Sequence, residues 1–159
     1  MRMHTLRRVQ VLPYPLERVF EFFRSPGNLS RITPPGMGFR IITPQPVIMK
    51  EGALIDYTIR LLGMPLHWTT MITAYDPPHL FVDQQIRGPY SFWHHTHSFR
   101  EVDGGTEMTD TVCYVLPGWV LGDIVHAILV KRQLKGIFDY REKVIPSVFS
   151  GAGLQESAP

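Results

Sequence analysis

A long stretch of strand-forming sequence, followed by one long helical segment, is the feature that most constrains the fold of this chain. From about residue 38 to residue 116 the residues alternate as strands do, and turn signals interrupt them at short intervals. The predicted strands are residues 39–43, 53–62, 66–75, 80–87, 92–102 and 106–116. Because consecutive strands with short connections pair with their neighbours, this order predicts an antiparallel sheet rather than one built from crossovers.

A first strand and two short helices are predicted before this region. Residues 4–12 have strand character, and Pro15 then suits the first position of a helix, with apolar residues following at helical spacing. Asn28 is predicted to cap a second short helix that runs through Ile32. The chain therefore begins with a strand and two short helices.

Residues 120–145 are predicted to form one long helix. Pro146 is expected to end or kink it, and the small, polar residues 150–159 are expected to form a disordered tail. Residues 1–149 then make a single α+β domain. The apolar stripe of the long helix comprises Leu121, Ile124, Val125, Ile128, Leu129, Ile137, Phe138, Arg141, Val144 and Ile145.

These elements predict a curved sheet wrapped around the long helix. An antiparallel sheet of about six to seven strands curves as it twists, and it needs an apolar element across its concave face. The C-terminal helix is the only predicted element that is long enough for this role. One helix does not fill the space that such a sheet encloses, so we expect a mostly apolar cavity, which is the usual form of a small-molecule site.

Composition narrows the class of protein. The chain has 159 residues, of which 44% are hydrophobic and 19% charged, values typical of one globular domain. A net charge of +2 without a basic, aromatic-rich stretch argues against nucleic acid as a partner. The single cysteine, Cys113, allows no internal disulfide, and no apolar segment reaches the length of a membrane span or resembles a signal peptide. We therefore expect a cytoplasmic protein without stable membrane insertion.

Alternation along the strand at residues 92–102 points to a polar patch inside the cavity. Trp93, His95, His97 and Phe99 share one face, because side chains two positions apart lie on the same side of a strand. The large apolar rings of Trp93 and Phe99 mark this face as the inward one. His95 and His97 are therefore expected to point into the cavity.

The predicted hairpin adds residues from the next strand. Gly104-Gly105 suits a two-residue loop, which would pair Phe99 with Asp110, His97 with Val112 and His95 with Tyr114. A loop that is one residue longer would bring Cys113 inward instead. The two-residue loop predicts a polar cluster of His95, His97, Asp110 and Tyr114.

Three roles are open for this cluster. The polar groups could satisfy one another and stabilise the sheet, could orient a carbonyl or hydroxyl of a ligand, or could act as general acid and base, with His95, His97 and Asp110 as catalytic candidates. The His-x-His pattern with a carboxylate could also bind metal, but no spacing defines a further ligand, and we expect no metal and no cofactor. The candidate ligand-binding residues are Tyr57, Trp68, Asp83, Gln85, Trp93, His95, His97, Phe99, Asp110, Tyr114, Phe138 and Arg141.

A set of short segments between residues 28 and 141 resembles a known superfamily. These segments are Asn28-Leu29, Thr33-Pro34-Pro35, residues 81–90 (FVDQQIRGPY), Trp93, His95, His97, Phe99, Gly104-Gly105-Thr106, Asp110, Tyr114, Leu116-Pro117-Gly118 and Arg141. Together they resemble a ligand-binding branch of the START-like superfamily, also called SRPBCC, over about residues 5–148. The group includes polyketide cyclases and dehydratases, lipid-transfer domains and birch-pollen-type allergens.

The resemblance implies the helix-grip fold and an internal cavity for apolar or aromatic molecules. It implies no catalytic residues, since none are assigned for this branch. The leading hypothesis is a domain that binds or carries an apolar small molecule, a lipid or an aromatic, polyketide-like compound. One alternative is a cyclase- or dehydratase-like enzyme using His95 or His97 with Asp110. Another is a protein-interaction module whose cavity is filled by the rings of Trp68, Trp93, Phe99 and Phe138. The oligomeric state is left open.

Overall fold

A computed structural model of the chain describes residues 2–61, 63–118 and 123–151, without the side chains of residues 123–127. The chain begins with strand β1 and helix α1, followed by two short 3₁₀ helices, six further strands and a long helix. The bounds are β1 (Met3–Leu12), α1 (Leu16–Phe23), the 3₁₀ helices Pro26–Ile32 and Pro35–Met37, β2 (Arg40–Ile41), β3 (Leu54–Leu61), β4 (Met64–Asp76), β5 (Leu80–Arg87), β6 (Phe92–Val102), β7 (Gly105–Val115) and α2 (Asp123–Gly151).

The seven strands form one antiparallel sheet in the order β1-β7-β6-β5-β4-β3-β2. From β2 to β7 each strand pairs with the next strand along the chain, and β1 closes the series beside β7. Helix α2 packs against this curved sheet, with Leu134, Phe138, Arg141, Ile145 and Phe149 buried. This is the helix-grip fold, which confirms the predicted fold class.

The interior contains two apolar clusters, one beside each end of the buried face of α2. The first joins α1 to the sheet and to the C-terminal end of α2, and it includes Phe20, Phe99 and Phe149. The second lies between the sheet and the middle of α2, and it includes Trp68 and Phe138. Burial of these large rings stabilises the fold, since a buried aromatic side chain removes about 150–250 Å² from water.

The hairpin between β6 and β7 turns one residue earlier than the sequence suggested. Its loop is Asp103-Gly104, and Val102 pairs with Gly105. Asp-Gly is itself a preferred two-residue loop, and Gly104 has a φ of 87°. Gly105 belongs to β7, where a Cβ would collide with the carbonyl oxygen of Leu12 on β1. The close approach of β1 therefore requires glycine there.

This register corrects the predicted pairing. His97 lies opposite Asp110, His95 opposite Val112 and Trp93 opposite Tyr114, so each partner differs by two residues from the prediction. A shift of two residues keeps the same side chains on the same face, because a strand repeats every two residues. Cys113, the alternative inward residue, instead lies beside Thr5 of β1 with its sulfur 3.8 Å from the Thr5 hydroxyl oxygen.

Helix α2 does not end at Pro146 but continues to Gly151. A proline inside a helix leaves the carbonyl four residues earlier without its usual donor. That carbonyl belongs to Glu142, and it accepts a hydrogen bond from Gln10 Nε2 at 3.3 Å. The side chain from β1 therefore supplies the hydrogen bond that Pro146 cannot make. The predicted tail falls partly within the helix, at Ser150 and Gly151, while residues 152–159 lie outside the described residues.

The buried stripe of α2 also differs in part from the predicted one. Ile128 and Leu129 are 60% and 43% exposed, whereas Leu134 and Phe149, which were not assigned to the stripe, are buried. Leu121 and the side chains of Ile124 and Val125 lie outside the described part of the structure.

Two predictions near the N-terminus were also wrong in detail. Asn28 does not cap the second short helix but lies within the 3₁₀ helix that starts at Pro26, and its amide donates to the carbonyl of Phe22 at 3.0 Å. The strand predicted at residues 39–43 is reduced to the two residues of β2. No helix in the described ranges is long and apolar enough to cross a membrane.

Candidate functional site

A cavity of about 140 Å³ lies between the sheet and α2. Its wall includes residues from the 3₁₀ helix Pro26–Ile32, from strands β3 to β6 and from α2. Most of the candidate residues are brought together here: Tyr57, Trp68, Asp83, Trp93, His95, His97, Phe138 and Arg141 all line it. Alternation along adjacent strands places the six that lie on β3 to β6, and the helical face of α2 places Phe138 and Arg141.

Four candidate residues do not line this cavity. Phe99 packs into the first apolar cluster, with its ring 5.4 Å from that of Phe20. Tyr114 is buried beside Tyr90, and Asp110 lies behind the two histidines. Gln85 forms hydrogen bonds with the main chain of Tyr90, accepting at 3.3 Å and donating at 2.7 Å.

The candidate list left out further residues of the cavity wall, among them Thr70, Leu134 and Tyr90. Thr70 shares the inward face of β4 with Trp68, so the same alternation would have found it. Leu134 precedes Phe138 by four residues, which is the spacing of one helical face. Tyr90 follows a turn, where no strand or helix period applies. Its position at the cavity depends on the hydrogen bonds from the Gln85 side chain to its main chain, which the sequence does not indicate.

Two histidines and two aspartates form a compact cluster on the cavity wall. Nε2 of His95 donates a hydrogen bond to Oδ1 of Asp110 at 2.9 Å, and Nε2 of His97 donates to Oδ2 of Asp83 at 2.9 Å. The remaining nitrogens also face carboxylates. Nδ1 of His95 is 3.4 Å from Asp83 Oδ2, and Nδ1 of His97 is 2.8 Å from Asp110 Oδ1 but is not aligned for a hydrogen bond.

The pKa values of the two aspartates are lowered. Burial by itself would raise the pKa of Asp110, but the hydrogen bonds from His95 and His97 outweigh it and hold the pKa well below its ordinary value. For Asp83, burial is likewise outweighed by the charge of His95 and by the hydrogen bond from His97, which lower its pKa. Both carboxyl groups are therefore ionised at neutral pH.

The pKa values of the two histidines are shifted in opposite directions. Burial and the charge of His97 lower the pKa of His95. Burial also opposes a charge on His97, but the hydrogen bonds to Asp110 and Asp83 outweigh it and raise the pKa of His97. His97 is therefore the histidine that takes a proton more readily. A pair of adjacent groups with separated pKa values is a common arrangement for acid–base chemistry.

The wall also contains hydrogen-bond donors that remain unpaired within the described part of the chain. They include Nε1 of Trp68, the hydroxyl of Thr70, and Nε and Nη1 of Arg141, all of them buried. Arg141 lies over the ring of Phe138 at 4.9 Å, and its Nη1 is 3.9 Å from Asp110 Oδ2. Buried donors without a partner are uncommon in folded proteins, so these atoms are suited to an acceptor on a bound molecule.

Aromatic rings form the apolar part of the wall. Trp68 is stacked on Tyr57 with centroids 5.8 Å apart and meets Trp93 edge to face at 5.2 Å. Burial, followed by the charge of Asp83, raises the pKa of Tyr57 well above its ordinary value, so its hydroxyl stays protonated.

In the polar cluster, the side chains of Asp83, His95 and His97 also place potential metal ligands within 4.8 Å of one another.

The fold and the cavity define a helix-grip protein with an internal site that is apolar on most sides and polar on one. The chain belongs to the polyketide cyclase / dehydrase and lipid transport family, whose pattern matches residues 3–139. This confirms the family resemblance found in the sequence. No curated protein sequence matches the chain.

Several solved structures share the fold. The Zhui aromatase/cyclase from a Streptomyces species has a TM-score of 0.71 and 13% identity, with 92% of this chain and 93% of that one covered. Protein Ms6760 from Mycobacterium smegmatis has a TM-score of 0.69 and 17% identity, with 92% and 91% covered. The protein Ara h 8.0201 has a TM-score of 0.63 and 21% identity, with 92% and 99% covered. At these identities the likeness concerns the fold.

Proposed function

We propose that this protein binds a compact, mostly apolar molecule, about the size of one substituted aromatic ring, in the cavity between the sheet and α2. The observation that supports this most directly is the cavity of about 140 Å³ with its wall of aromatic and aliphatic side chains. An apolar cavity of about 150 Å³ is large enough for benzene. The family's link to cyclases and lipid transport is consistent with an apolar ligand.

The size of the cavity favours a single ring over a long acyl chain. Sites for larger ligands usually enclose about 300–1,000 Å³. The cavity here is well below that range. A lipid with a long chain would require the wall to move, whereas a one-ring compound fits without displacement.

The unpaired donors favour a ligand that carries a hydrogen-bond acceptor. Trp68 Nε1 and the guanidinium of Arg141 can each donate to a carbonyl, phenolic or carboxylate oxygen. A ligand oxygen there would relieve the cost of about 1–3 kcal/mol that an unpaired buried donor carries. The ring of the ligand would then lie against the aromatic part of the wall.

The state of the cavity also bears on the protein-interaction alternative. That alternative expects the rings of Trp68, Trp93, Phe99 and Phe138 to fill the interior. Phe99 lies elsewhere, and the other three rings line the cavity without closing it. This arrangement favours small-molecule binding.

Titration with a graded series of probes tests the proposal. Toluene, phenol and benzoate represent one ring with and without an acceptor, naphthalene adds a second ring, and palmitate represents a lipid chain. Calorimetry and thermal unfolding should show binding and stabilisation by the one-ring probes, strongest for those with an oxygen, and little effect of palmitate. A protein that takes up none of the one-ring probes would not have this function.

Two matched variants locate the binding. Ile59 lines the cavity and is only partly buried, so Ile59→Phe should fill the cavity while leaving the fold intact. Ile86 on β5 is 54% exposed, and Ile86→Phe adds the same bulk outside. The first variant should lose binding of the one-ring probes and the second should keep it. Equal binding by both variants would place the ligand elsewhere.

A second candidate function is a cyclase- or dehydratase-like reaction on the bound molecule. The specific observation is that Asp83, His95 and His97 line the cavity and hydrogen-bond within one cluster. In a dehydration, one group would remove a proton next to a carbonyl while another protonates the departing hydroxyl, which leaves as water. Incubation with a one-ring β-hydroxy ketone should then release water from the substrate. Turnover that persists unchanged in His95→Gln and His97→Gln would exclude this role.

A further inference from the structure

Three potential ligand atoms converge at one point on the cavity wall. Asp83 Oδ2 is 2.9 Å from His97 Nε2 and 3.4 Å from His95 Nδ1. The donor atoms of these three residues all lie within 4.8 Å of one another. Ligand atoms bonded to a tetrahedral zinc ion at about 2.0–2.2 Å are separated by about 3.4 Å. The distance from Asp83 to His95 equals this value, whereas the distance from Asp83 to His97 is shorter because a hydrogen bond joins them. A metal ion at this point would replace the proton that His97 Nε2 donates to Asp83, and the three residues would then be its ligands.

The hydrogen bond between His95 and Asp110 orients the imidazole for this role. Nε2 of His95 donates its proton to Asp110, so a neutral His95 has its lone pair on Nδ1, which faces Asp83 Oδ2. Two electron-rich atoms that face each other inside a protein repel unless a cation lies between them. A metal-binding histidine usually donates its other ring N–H to a carboxylate, a backbone carbonyl or water, as His95 donates to Asp110.

Asp110 stands behind the second histidine as well. Nδ1 of His97 is 2.8 Å from the same Oδ1 atom of Asp110, although it is not aligned for a hydrogen bond. The inner nitrogens of both rings thus face Asp83, while the outer nitrogens face Asp110. One carboxylate is in position to bind the ion, and the other is in position to hold the two rings.

The described charged residues around the cluster favour the binding of a cation. Asp83 and Asp110 carry one negative charge each, and Arg141 contributes one positive charge near Asp110. When both inner nitrogens bind a metal ion the two histidines are neutral, so these side chains give the site a net charge of −1 before the ion is counted, in an environment where the side chains of Asp110 and Arg141 are only 7% and 10% exposed. This negative charge in a buried environment attracts a cation to the inner nitrogens.

We infer that Asp83, His95 and His97 form a binding site for a divalent transition-metal ion, with the remaining coordination position open to the cavity. Two imidazole nitrogens and one carboxylate oxygen suit zinc and neighbouring first-row metals. All three residues line the cavity, so a water molecule or a ligand oxygen could occupy the open position. This inference does not depend on the identity of the organic ligand, and it differs from the sequence-based expectation that no metal is bound.

Direct metal titration is the experiment that tests it. Protein purified without a tag is treated with a chelator, exchanged into chelator-free buffer and titrated with zinc chloride in a calorimeter. We expect one zinc ion per chain and a rise in the unfolding midpoint. Cobalt(II) should give the same stoichiometry with visible absorption bands of a nitrogen- and oxygen-coordinated ion. If neither ion binds stoichiometrically, the inference is overturned, and the cluster is held together by hydrogen bonds without a metal ion.

Volume-conserving variants assign the ligands. Asp83→Asn and His97→Gln should each lose stoichiometric zinc binding, and Asp110→Asn should weaken it about 10- to 100-fold, because Asp110 holds the rings from behind. His94→Gln is the matched control, since His94 belongs to the same strand but points to the opposite face. His67→Gln removes an exposed histidine that lies 3.3 Å from Asp56. Both controls should bind zinc as the unmodified protein does.

The variants also separate this site from adventitious surface binding. Circular dichroism and the unfolding midpoint establish that each variant is folded. If His97→Gln does not fold, zinc binding by Asp83→Asn and the cobalt spectrum of the unmodified protein test the assignment instead. Zinc binding that survives in Asp83→Asn, or that disappears in His67→Gln or His94→Gln, would place the ion elsewhere and overturn the assignment.

Discussion

The rings of His95 and His97 lie with their centroids 3.8 Å apart on the inward face of β6. Asp83 on β5 and Asp110 on β7 flank them, so that three adjacent strands each contribute to one cluster. Side chains at i and i+2 of one strand share a face, and the neighbouring strands supply the opposite charges. The result is a polar region on the wall of an otherwise apolar cavity.

The acid limb of the stability profile should depend on Asp110. Because the folded-state pKa of Asp110 lies well below the unfolded value of about 3.9, ionised Asp110 stabilises the fold above that pH and the contribution is lost as the pH falls. In Asp110→Asn this contribution is absent. In urea unfolding, the free energy of unfolding of the unmodified protein should therefore exceed that of Asp110→Asn by on the order of 2–3 kcal/mol at pH about 5. This difference should become smaller toward pH about 2.

The control for this experiment is Asp76→Asn, which changes an exposed carboxyl group at the end of β4. It should reproduce the profile of the unmodified protein. A gap between the unmodified protein and Asp110→Asn that stays constant down to pH about 2 would contradict the lowered pKa of Asp110.

Phe138→Ala should enlarge the cavity and change its ligand preference. Phe138 is 5% exposed and lines the cavity, so its truncation removes a ring from the wall and destabilises the fold by about 3–5 kcal/mol. Naphthalene should bind this variant more tightly than it binds the unmodified protein. Phe149→Ala is the control, because Phe149 is equally buried but packs on Tyr14 outside the cavity. It should be destabilised similarly without binding naphthalene more tightly.

Arg141→Met should weaken the binding of ligands that carry an acceptor oxygen without weakening the binding of purely apolar ligands. The guanidinium is buried against the cavity with two unpaired donor atoms, and methionine keeps much of its apolar length. A charge-assisted hydrogen bond contributes about 1.5–3 kcal/mol, so benzoate affinity should fall roughly tenfold to a hundredfold while toluene affinity changes little. Arg132→Met, at an exposed position of the same helix, should alter neither affinity. Equal loss for benzoate and toluene would argue against a polar contact with Arg141.

Gln10 and Pro146 should be energetically coupled. Gln10 Nε2 donates to the Glu142 carbonyl, the group that Pro146 leaves without a helical donor. Gln10→Ala should destabilise the unmodified protein by about 0.5–1.5 kcal/mol. In Pro146→Ala the backbone N–H of residue 146 can bond that carbonyl, so Gln10→Ala should then have a smaller effect. Urea unfolding of the four proteins of this double-mutant cycle measures the coupling, and additive effects would refute it.

Most of the fold could be predicted because its signals are local. Strand alternation and turn residues placed β5 and β6 at the residues where the structure has them. The helix through Pro146 could not be predicted locally, since its continuation depends on a side chain from β1 more than a hundred residues away in sequence. A strand was predicted at the position of β2, but its short length was not, because the strand ends where its pairing with β3 ends.

The candidate site was predictable in its composition but not in its contacts. The inward face of β6 and the cavity residues on β3 to β5 follow from alternation. The β6–β7 register was wrong by two residues because both Gly104-Gly105 and Asp103-Gly104 are acceptable loops. The close approach of β1 to Gly105 distinguishes them, and that contact is tertiary.

The sequence by itself determined which side chains of β6 point inward, because the two-residue period of a strand is a local property of the backbone. His95 and His97 were therefore identifiable as interior groups without any knowledge of their neighbours. Only the tertiary structure decided that Asp83 and Asp110 flank them, and how much space α2 leaves in front of them. Strand register and helix packing depend on contacts between residues far apart in sequence, so the partners of the histidines and the volume of the cavity emerge only when the chain is folded.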